Sequence, residues 1–410
     1  MDWYYCIAII LIVWQSVVLF WTFSNFRYAL AKYKKERIWH RLRVALIVPC
    51  KGLDADFHKN IASFFNQDYK NYRLWFVVAD KSDPAYGELS KLKEELGPNC
   101  KAQEVQIFTA GEATGCSQKI HNLLYCYHQI REDVDVLAFA DSDICVRPDW
   151  LSHLVWPLRK SKNGAATGYR WFVPEENNLA SLALSAINGK IAQLLGNTRF
   201  NQAWGGSMAV RTEVFRRLGI DKIWPNTLSD DLSISNAVKK VGMNITFVPA
   251  CLVASHQSVN WRGLFEFGRR QFLITRIYAP RTWWFGLLSS LYSVLGLWAT
   301  AGIAIYAAVI VDKNLTLYAA VPVVFFVSQF LQALLRQKMI SRLLEKDWAK
   351  LKSACAADIL GFWAWSIVLL LLIISSAFGR TICWRGIRYK LLSPTETIIL
   401  DNKKQKSVTC

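Results

Sequence analysis

Two aspartates separated by one residue give this sequence a candidate metal site. Asp141 and Asp143 follow the apolar run 136–140, and alternate residues of an extended segment point the same way. Two carboxylates that share a site are unfavourable unless a positive charge lies between them. Mg²⁺ or Mn²⁺ suits them, because such cations take few carboxylates and complete their shell with phosphate oxygens. The pair favours a cation that neutralises a diphosphate leaving group, although a solvated turn also carries this pattern.

A second acidic pair could move a proton. Asp230 and Asp231 precede a helical stretch at 232–241. Acidic side chains stabilise a helix N-terminus, so helix capping is one interpretation. The other is that one of them is a general base, which removes the proton from an attacking hydroxyl. A further carboxylate, Asp80, follows the apolar run 74–79.

The elements that would position these side chains alternate along the chain from residue 43 onward. The pattern predicts buried strands at 44–48, 74–79, 105–108 and 136–140, and helices at 60–66, 85–96, 117–130 and 150–159. Strands and helices that alternate in this way form a parallel sheet with helices on both faces, so the expected fold class is α/β. Ligands bind outside the carboxyl ends of such strands, where three of the aspartates stand.

Apolar segments near both ends predict an integral membrane protein. Four are long enough to span a bilayer, namely residues 3–23, 283–311, 315–335 and 357–378. Seven basic residues follow the first one, as expected on the cytoplasmic side: Arg27, Lys32, Lys34, Lys35, Arg37, Arg41 and Arg43. We therefore expect an anchor at 1–26, a cytoplasmic domain at 27–280, about three membrane helices at 281–378 and a basic tail at 379–410.

Two features of this arrangement stay open. Three spans after a cytoplasmic domain would place the basic tail outside, where the charge rule disfavours it. Either one span is re-entrant or the tail tolerates that location. A shorter apolar helix at 179–195 either packs in the core or lies at the membrane surface.

Composition excludes one class of partner. The net charge is +18, but the basic residues cluster beside apolar segments, with neither zinc-finger spacing nor repeated aromatic and basic interleaving. Binding to nucleic acid is therefore not expected. The ten cysteines are scattered with no CxxC pair, which is typical of buried residues in a reducing compartment.

Six segments in a fixed order resemble glycosyltransferase family 2, and most of all its ceramide glucosyltransferase group. They are Val48-Pro49-Cys50-Lys51-Gly52, Phe76-Val77-Val78-Ala79-Asp80, Gly115-Cys116-Ser117-Gln118-Lys119-Ile120-His121-Asn122-Leu123, Asp141-Ser142-Asp143, Asp231 after Asp230, and Trp384-Arg385-Gly386-Ile387-Arg388-Tyr389. The match runs from residue 44 to about residue 278, with a further piece near the C-terminus. The resemblance implies a GT-A fold, which is a Rossmann-like nucleotide-sugar-binding domain, together with a UDP-sugar donor and inversion of configuration.

The resemblance also implies roles for matched residues. Asp231 would be the catalytic base, and Asp141 and Asp143 would hold Mg²⁺ or Mn²⁺ on the diphosphate. The donor would contact Pro49, Lys51, Asp80, Lys119, Asn122 and Asp141.

One motif departs from the family pattern. Relatives carry (Gln/Arg)xxArgTrp, whereas the Arg-Trp positions here, aligned from Arg270, hold Leu273 and Ile274. Arg269, Arg270, Gln271 or Arg276 would supply the missing charge, although a basic helix that touches lipid headgroups is an equal alternative for Arg276. The region around acceptor and diphosphate would comprise Asp230, Arg270, Gln271, Arg276, Trp384 and Arg385.

The leading hypothesis is a membrane-bound glycosyltransferase that moves one sugar from a UDP-sugar to a lipid acceptor at the cytoplasmic face. The lipid could be a ceramide, a hopanoid, a diacylglycerol or a polyprenyl phosphate. One alternative is a processive polysaccharide synthase, which the missing Trp and the small number of spans disfavour. Another is a non-catalytic membrane scaffold, which the complete set of aspartates disfavours.

Overall fold

The computed structural model describes residues 2–37, 41–54, 56–130 and 133–400. Its helices are α1 (Asp2–Tyr33), α2 (Phe57–Phe65), α3 (Pro84–Leu96), α4 (Gln118–His128), α5 (Trp150–Val155), α6 (Leu179–Ala192), α7 (Thr212–Arg217), α8 (Ile220–Ile223), α9 (Asp230–Lys240), α10 (Trp261–Tyr278), α11 (Pro280–Val309), α12 (Leu315–Leu343) and α13 (Trp348–Ser375). Its strands are β1 (Val44–Pro49), β2 (Tyr72–Val78), β3 (Glu104–Thr109), β4 (Val136–Ala140), β5 (Asn163–Val173), β6 (Ser207–Arg211), β7 (Asn244–His256), β8 (Thr381–Trp384), β9 (Ile387–Ser393) and β10 (Glu396–Leu400).

Seven strands form the main sheet in the order β3-β2-β1-β4-β6-β5-β7. The α/β class is confirmed, and the first four strands are parallel as predicted. The expectation of a wholly parallel sheet was wrong for β6, which runs antiparallel to β4 and β5. The reason is local: a turn in which Ser207 N donates to Trp204 O, 3.0 Å, starts β6 at the carboxyl edge, opposite Ala140.

The strands are continuous apolar runs because both faces of the sheet are covered. In β1, Val44, Leu46 and Val48 pack into the core under α2, α3 and α5. Ala45 and Ile47 point to the opposite face and pack under α4. Burial on both faces fixes the register, since a shift by one residue would exchange the two sets of side chains.

The apolar helix α6 is buried along most of its length. Ala183, Leu184 and Ile187 pack with Trp365 of α13, and Ser185 Oγ donates to Phe172 O of β5, 2.7 Å. Of the two interpretations that the sequence left open, the structure supports a core helix. It lies between the sheet and α13.

Four of the described helices are long and apolar enough to cross a membrane, judged by length and composition: Tyr4–Tyr33, Pro280–Val309, Leu315–Leu343 and Glu345–Ser375. A buried ion pair joins the last two, since Arg336 Nη2 lies 2.7 Å from Asp358 Oδ1. Gln337 Nε2 also donates to Asp358 Oδ2, 2.6 Å. Arg336 is thus paired between two helices, where removal of one partner would leave the other charge buried and unpaired.

The segment after α13 is folded onto the α/β domain. Strands β8, β9 and β10 form an antiparallel sheet, and Tyr389 and Leu391 of β9 pack with Leu228 and Tyr278. The sequence predicted a basic tail that contains the motif at residues 384–389, but no sheet. Residues 401–410 of that tail lie outside the described residues.

Both ends of α13 contact the α/β domain. Asp347, directly before the helix, accepts a bond from His256 Nε2 at the end of β7, 3.0 Å. At the other end, Arg269 Nε of α10 donates to Ser375 O, 3.1 Å. Between these ends, Gly268 of α10 packs tightly against Leu372. Helix α13, about 42 Å long at 1.5 Å per residue, therefore runs along the domain.

Candidate active site

Three charged side chains meet at the carboxyl edge of the sheet. Lys119 Nζ lies 2.7 Å from Asp141 Oδ1 and 3.0 Å from Asp230 Oδ2. All three are largely buried, so their charges interact strongly. Residues that lie far apart in the sequence thus form one compact electrostatic centre.

The N-terminus of α4 is positioned so that Lys119 reaches this centre. Ser117 caps the helix by accepting a bond from Ile120 N, and its own N–H donates to Thr227 O, 3.1 Å. A Cβ on Gly115 would come to 3.0 Å from Pro225 O, so a larger residue would push the two segments apart. The loop before α9 and the start of α4 are therefore held together, and Lys119 meets Asp230.

Asp231 is oriented by three hydrogen bonds. Its Oδ2 accepts from Gly205 N, 3.1 Å, and its Oδ1 accepts from Ser229 Oγ, 2.5 Å, and Leu232 N, 2.7 Å. Asp231 remains partly exposed, whereas Asp230 is buried. A carboxylate can accept about four bonds, so Asp231 has capacity for one more donor.

The pKa values of the neighbouring carboxyl groups are shifted in different directions by their surroundings. Burial raises the pKa of Asp230 to about 6; the Lys119 cation opposes this rise, and the charges of Asp231 and Asp141 add to it. Burial would also raise the pKa of Asp141, but the Lys119 and Arg170 cations hold it below its usual value. The pKa of Asp143 is raised, first by burial and then by the charge of Asp141.

The pair Asp141 and Asp143 fits a divalent cation. Within the described part of the chain, no three His, Cys, Asp or Glu side chains gather as a metal site. Two carboxylates plus the oxygens of a diphosphate are, however, the donor set that Mg²⁺ or Mn²⁺ commonly takes. Among the described atoms, the buried Asp143 Oδ1 has no hydrogen-bond partner, which is an unfavourable state that a cation would relieve.

The predicted nucleotide-binding residues lie along the same edge. Strand β1 stands between β2 and β4, so Asp80 and Asp141 are two strand spacings apart, about 10 Å. Asp80 is exposed, and hydrogen bonds from Ser82 lower its pKa. Pro49 is the last residue of β1. This spacing suits a ligand that extends from one strand end to the other.

A hairpin from the C-terminal sheet closes one side of this edge. Arg385 and Gly386 both have positive φ values, 46° and 81°, as the two-residue turns that favour right-handed strand twist require. The turn lets Arg385 Nη1 donate to Lys51 O, 2.8 Å, while its Nη2 lies 3.3 Å from Asp54 Oδ2. Arg385 and Lys51, predicted from segments more than 300 residues apart, are thus neighbours.

Asn122 lies in the interior one turn after Lys119. Its Oδ1 accepts from Gln118 Nε2, 2.8 Å, and the same amide of Gln118 donates to Gly111 O, 2.8 Å. In this structure Asn122 holds Gln118, which in turn fixes the loop that enters α4.

The residues near the altered family motif have structural contacts. Arg270 Nη1 donates to Cys383 O of β8, 3.4 Å, and the guanidinium of Arg276 donates to the carbonyls of Ala377 and Gly379. Gln271 is exposed on α10. Trp384 packs with the apolar cluster between α10 and the C-terminal sheet. These bonds attach the C-terminal sheet to α10.

The structure adds Arg170 and Trp204 to the site. The Arg170 Cζ lies 4.9 Å from the centre of the Trp204 ring, and its charge lowers the pKa of Asp141. Neither residue was predicted, because β5 was not recognised as a strand and a lone Arg in an unassigned segment carries no signal. Trp204 directly precedes Gly205, whose N–H donates to Asp231 Oδ2, 3.1 Å.

The sequence pattern of glycosyl transferase family 21 matches residues 6–397, nearly the whole chain. The chain belongs to glycosyl transferase family 21. The family prediction is therefore confirmed, including its relation to the ceramide glucosyltransferase group, whose members are among the relatives.

Three curated relatives show how far that similarity extends. Ceramide glucosyltransferase 3 of Caenorhabditis elegans is 30% identical over 124 residues, which is 28% of this chain and 26% of the relative. Ceramide glucosyltransferase 1 of the same organism is 30% identical over 106 residues, which is 26% of this chain and 22% of the relative. The ceramide glucosyltransferase of Komagataella phaffii is 26% identical over 167 residues, which is 39% of this chain and 32% of the relative. The matched segments span about a third or less of each relative.

Two solved structures are similar at low levels. The mannosyltransferase PcManGT from Pyrobaculum calidifontis, in complex with GDP-Man and Mn²⁺, has a TM-score of 0.44 and 13% identity over 90% of this chain and 96% of its own. GalNAc-T7 with UDP, GalNAc and Mn²⁺ has a TM-score of 0.37 and 14% identity, over 56% of this chain and 48% of its own. Similarities this weak leave the functional argument to the site itself.

Proposed function

We propose that this chain transfers one sugar from a UDP-sugar to a membrane lipid, with inversion at the anomeric carbon and with Mg²⁺ or Mn²⁺. The observation that carries the proposal is the convergence of Lys119, Asp141 and Asp230 at one sheet edge, with Asp231 bonded to Gly205 beside them. Family membership supports the reaction class. The names of the curated relatives support a ceramide-like acceptor.

In the proposed mechanism the donor lies across the end of β1. Asp80 contacts the nucleoside, and Lys51 and the Arg385 hairpin border the diphosphate. Lys119 supplies positive charge to the leaving group, where charge develops as the glycosidic bond breaks. Asp141 and Asp143 would hold the cation, which when bound neutralises the diphosphate oxygens.

Asp231 is the proposed base. It takes the proton of the acceptor hydroxyl as that oxygen attacks the anomeric carbon from the face opposite the diphosphate. Asp230 is less suited to this role because it is buried and paired with Lys119. Asp231 is partly exposed and fixed by the Gly205 and Ser229 bonds, so an acceptor can reach it.

Gly205→Ala tests whether this close packing is required. An added Cβ would lie 2.4 Å from Asp230 Oδ2 and 2.8 Å from Lys119 Nζ, so the ion pair must shift. A displacement of about 1 Å costs about 100-fold in rate, so we expect transfer to fall by that order while the protein stays folded. The matched control is Gly87→Ala in α3, where the Cβ would meet nothing within 4 Å. Transfer by the Gly205→Ala variant within twofold of wild type would contradict the proposed arrangement.

We further propose that the catalytic domain lies on the cytoplasmic face and that α13 lies along the membrane surface. Basic residues that follow the apolar part of α1 support the cytoplasmic side. The C-terminal sheet packs on the catalytic domain, so an even number of complete crossings separates the two. Helices α11 and α12 supply two, and α13, with both ends against the domain, need not cross. This arrangement removes the conflict between the basic tail and the charge rule.

An epitope inserted between Pro394 and Thr395 tests this topology. In sealed vesicles we expect that epitope to react on the same side as one in the catalytic domain. An epitope between Lys313 and Asn314, in the turn from α11 to α12, should react on the opposite side. Equal accessibility of the 313 and 394 insertions would show that α13 crosses the membrane.

The function is tested with the full-length protein in membranes, labelled UDP-sugars, and Mn²⁺ or Mg²⁺. We expect one labelled sugar on a lipid that mass spectrometry identifies, and no product with membranes that lack the protein. A ladder of longer products would instead favour the processive synthase. No labelled product with any UDP-sugar would contradict the proposed donor.

A further inference from the structure

A cavity lies at the edge of the sheet opposite the candidate active site. Its volume is about 550 Å³, within the range of small-molecule sites. Asn163 and Asn244, the first residues of β5 and β7, line it. Asp80, Asp141 and Asp143 follow the carboxyl ends of strands, so this cavity is separate from the proposed donor site.

The cavity is strongly basic. Lys32, Lys35 and Arg37 enter it from the end of α1. A turn before β5 adds Arg159, Lys160 and Lys162. Its lining contains no Asp or Glu among the described residues, and none of these cations makes an ion pair with a described side chain. Like charges gathered in this way repel one another unless an anion lies between them.

One aromatic ring holds two of the cations close together. The Cζ atoms of Arg37 and Arg159 lie 4.8 Å and 4.1 Å from the centre of the Trp156 ring. Burial lowers the pKa of Arg37, and the charge of Arg159 lowers it further. Stacking on Trp156 directs both planar guanidinium groups, and such groups match phosphate oxygens in two-bond geometry.

The cavity lies beside the membrane helices. Its seventh cation, Arg199, belongs to a loop whose next residue, Phe200, contacts Trp21 of α1 at 5.9 Å and Phe285 of α11 at 6.3 Å between ring centres. Phe200 is also 72% exposed, as an aromatic side chain near lipid can be. Lys32 lies in the last turn of α1, the first apolar helix. A lipid headgroup at this surface could therefore reach the cations directly.

We propose that this basic cavity binds the phosphate-bearing headgroup of an anionic membrane lipid. The cations come from the anchor helix α1 and from the catalytic domain, so a bound headgroup bridges the two. The site is independent of the sugar-transfer function, because its location and chemistry do not involve the donor-site residues.

The test uses the full-length protein in detergent and short-chain phosphatidylinositol 4-phosphate, with binding measured by titration. Arg159→Gln, Lys160→Gln and Lys162→Gln combined should weaken binding about 100-fold, given about fivefold per cation near a charged surface. The matched control combines Lys59→Gln, Lys70→Gln and Lys93→Gln, which remove the same charge from exposed lysines of the catalytic domain. It should retain wild-type affinity.

Two further arms identify the ligand and protect against a folding artefact. A variant that combines Arg159→Lys, Lys160→Arg and Lys162→Arg should bind the lipid as the wild type does, because the three positive charges remain. Short-chain phosphatidylcholine should bind at least tenfold more weakly, and millimolar inorganic phosphate or pyrophosphate should not displace the lipid. Equal loss in both triple-Gln variants, or displacement by inorganic phosphate, would overturn the proposal of a lipid site.

Discussion

Asp231→Asn is expected to lower the rate of sugar transfer by about 100- to 10,000-fold, as loss of a general base does. The change keeps the shape of the side chain but removes its ability to take the acceptor proton. Its position is held by Gly205 N, Ser229 Oγ and Leu232 N. An amide oxygen in the place of Oδ1 still accepts from Ser229 Oγ and Leu232 N, and only the bond from Gly205 N is lost. The protein should therefore fold and should bind UDP and the metal ion as before. The rate of transfer at saturating donor, measured beside UDP affinity, separates the two effects.

The matched control is Asp135→Asn. Asp135 lies directly before β4, at the opposite edge from Asp141, where it pairs with Arg43, 3.0 Å. This exposed pair should contribute little, so transfer should stay within about twofold of wild type. Retained turnover by the Asp231→Asn variant would remove the base assignment, and a joint loss of UDP binding would assign Asp231 to the donor instead.

Asp143→Asn is expected to have opposite effects with and without the metal ion. In EDTA the buried carboxyl carries a raised pKa and faces the like charge of Asp141, so a neutral amide should leave the free energy of unfolding unchanged or increase it. With Mn²⁺ and UDP, the wild type should gain about 2.7 kcal/mol at ligand concentrations of 100 times the dissociation constant. The variant should lose most of that gain, and transfer with it.

Thermal unfolding of the detergent-solubilised protein measures both effects. The Asp135→Asn variant should show the full gain with Mn²⁺ and UDP. A full gain in the Asp143→Asn variant would place the cation elsewhere. A large destabilisation of that variant in EDTA would show instead that Asp143 is a structural residue with a partner in the metal-free protein.

The regular half of the sheet could be predicted from the sequence because its signals are local. Strands β1 to β4 are short, continuous apolar runs, and each helix between them has an amphipathic period. Strands β5 and β7 were missed because they carry polar and charged residues beside apolar ones, including Arg170. The C-terminal sheet was missed because its pairing depends on packing against Leu228 and Tyr278, which no local pattern reports.

The candidate site was predicted residue by residue but not as an arrangement. Motif order indicated Lys119, Asp141, Asp230 and Asp231 as members of one site. The direct contact of Lys119 with both Asp141 and Asp230 was not foreseen, because it requires the loop before α9 to pack on the start of α4. The role of Gly205 is likewise a tertiary effect, since its missing Cβ matters only beside Asp230. The sequence could not distinguish Arg270 from Arg276 as the source of the missing charge; in the structure both donate to carbonyls at or just before the C-terminal sheet.

The linkage of the domain to the membrane bears on the acceptor. The domain packs on both α1 and α13, so if these helices lie in or along the membrane as proposed, the domain would keep a fixed distance from the bilayer. A lipid acceptor confined to that surface would then meet Asp231 in few orientations, which favours a rapid intramolecular-like step. The basic cavity, on the opposite edge of the sheet, would add a second point of attachment.

The anomeric configuration of the lipid product tests the central claim most directly. If the Asp231 carboxylate activates the acceptor hydroxyl for direct attack opposite the diphosphate, an α-linked UDP-sugar must give a β-linked glycolipid, which NMR of the purified product distinguishes. We expect the β-linked product alone. An α-linked product would require a different mechanism and would contradict the role given to this group of aspartates.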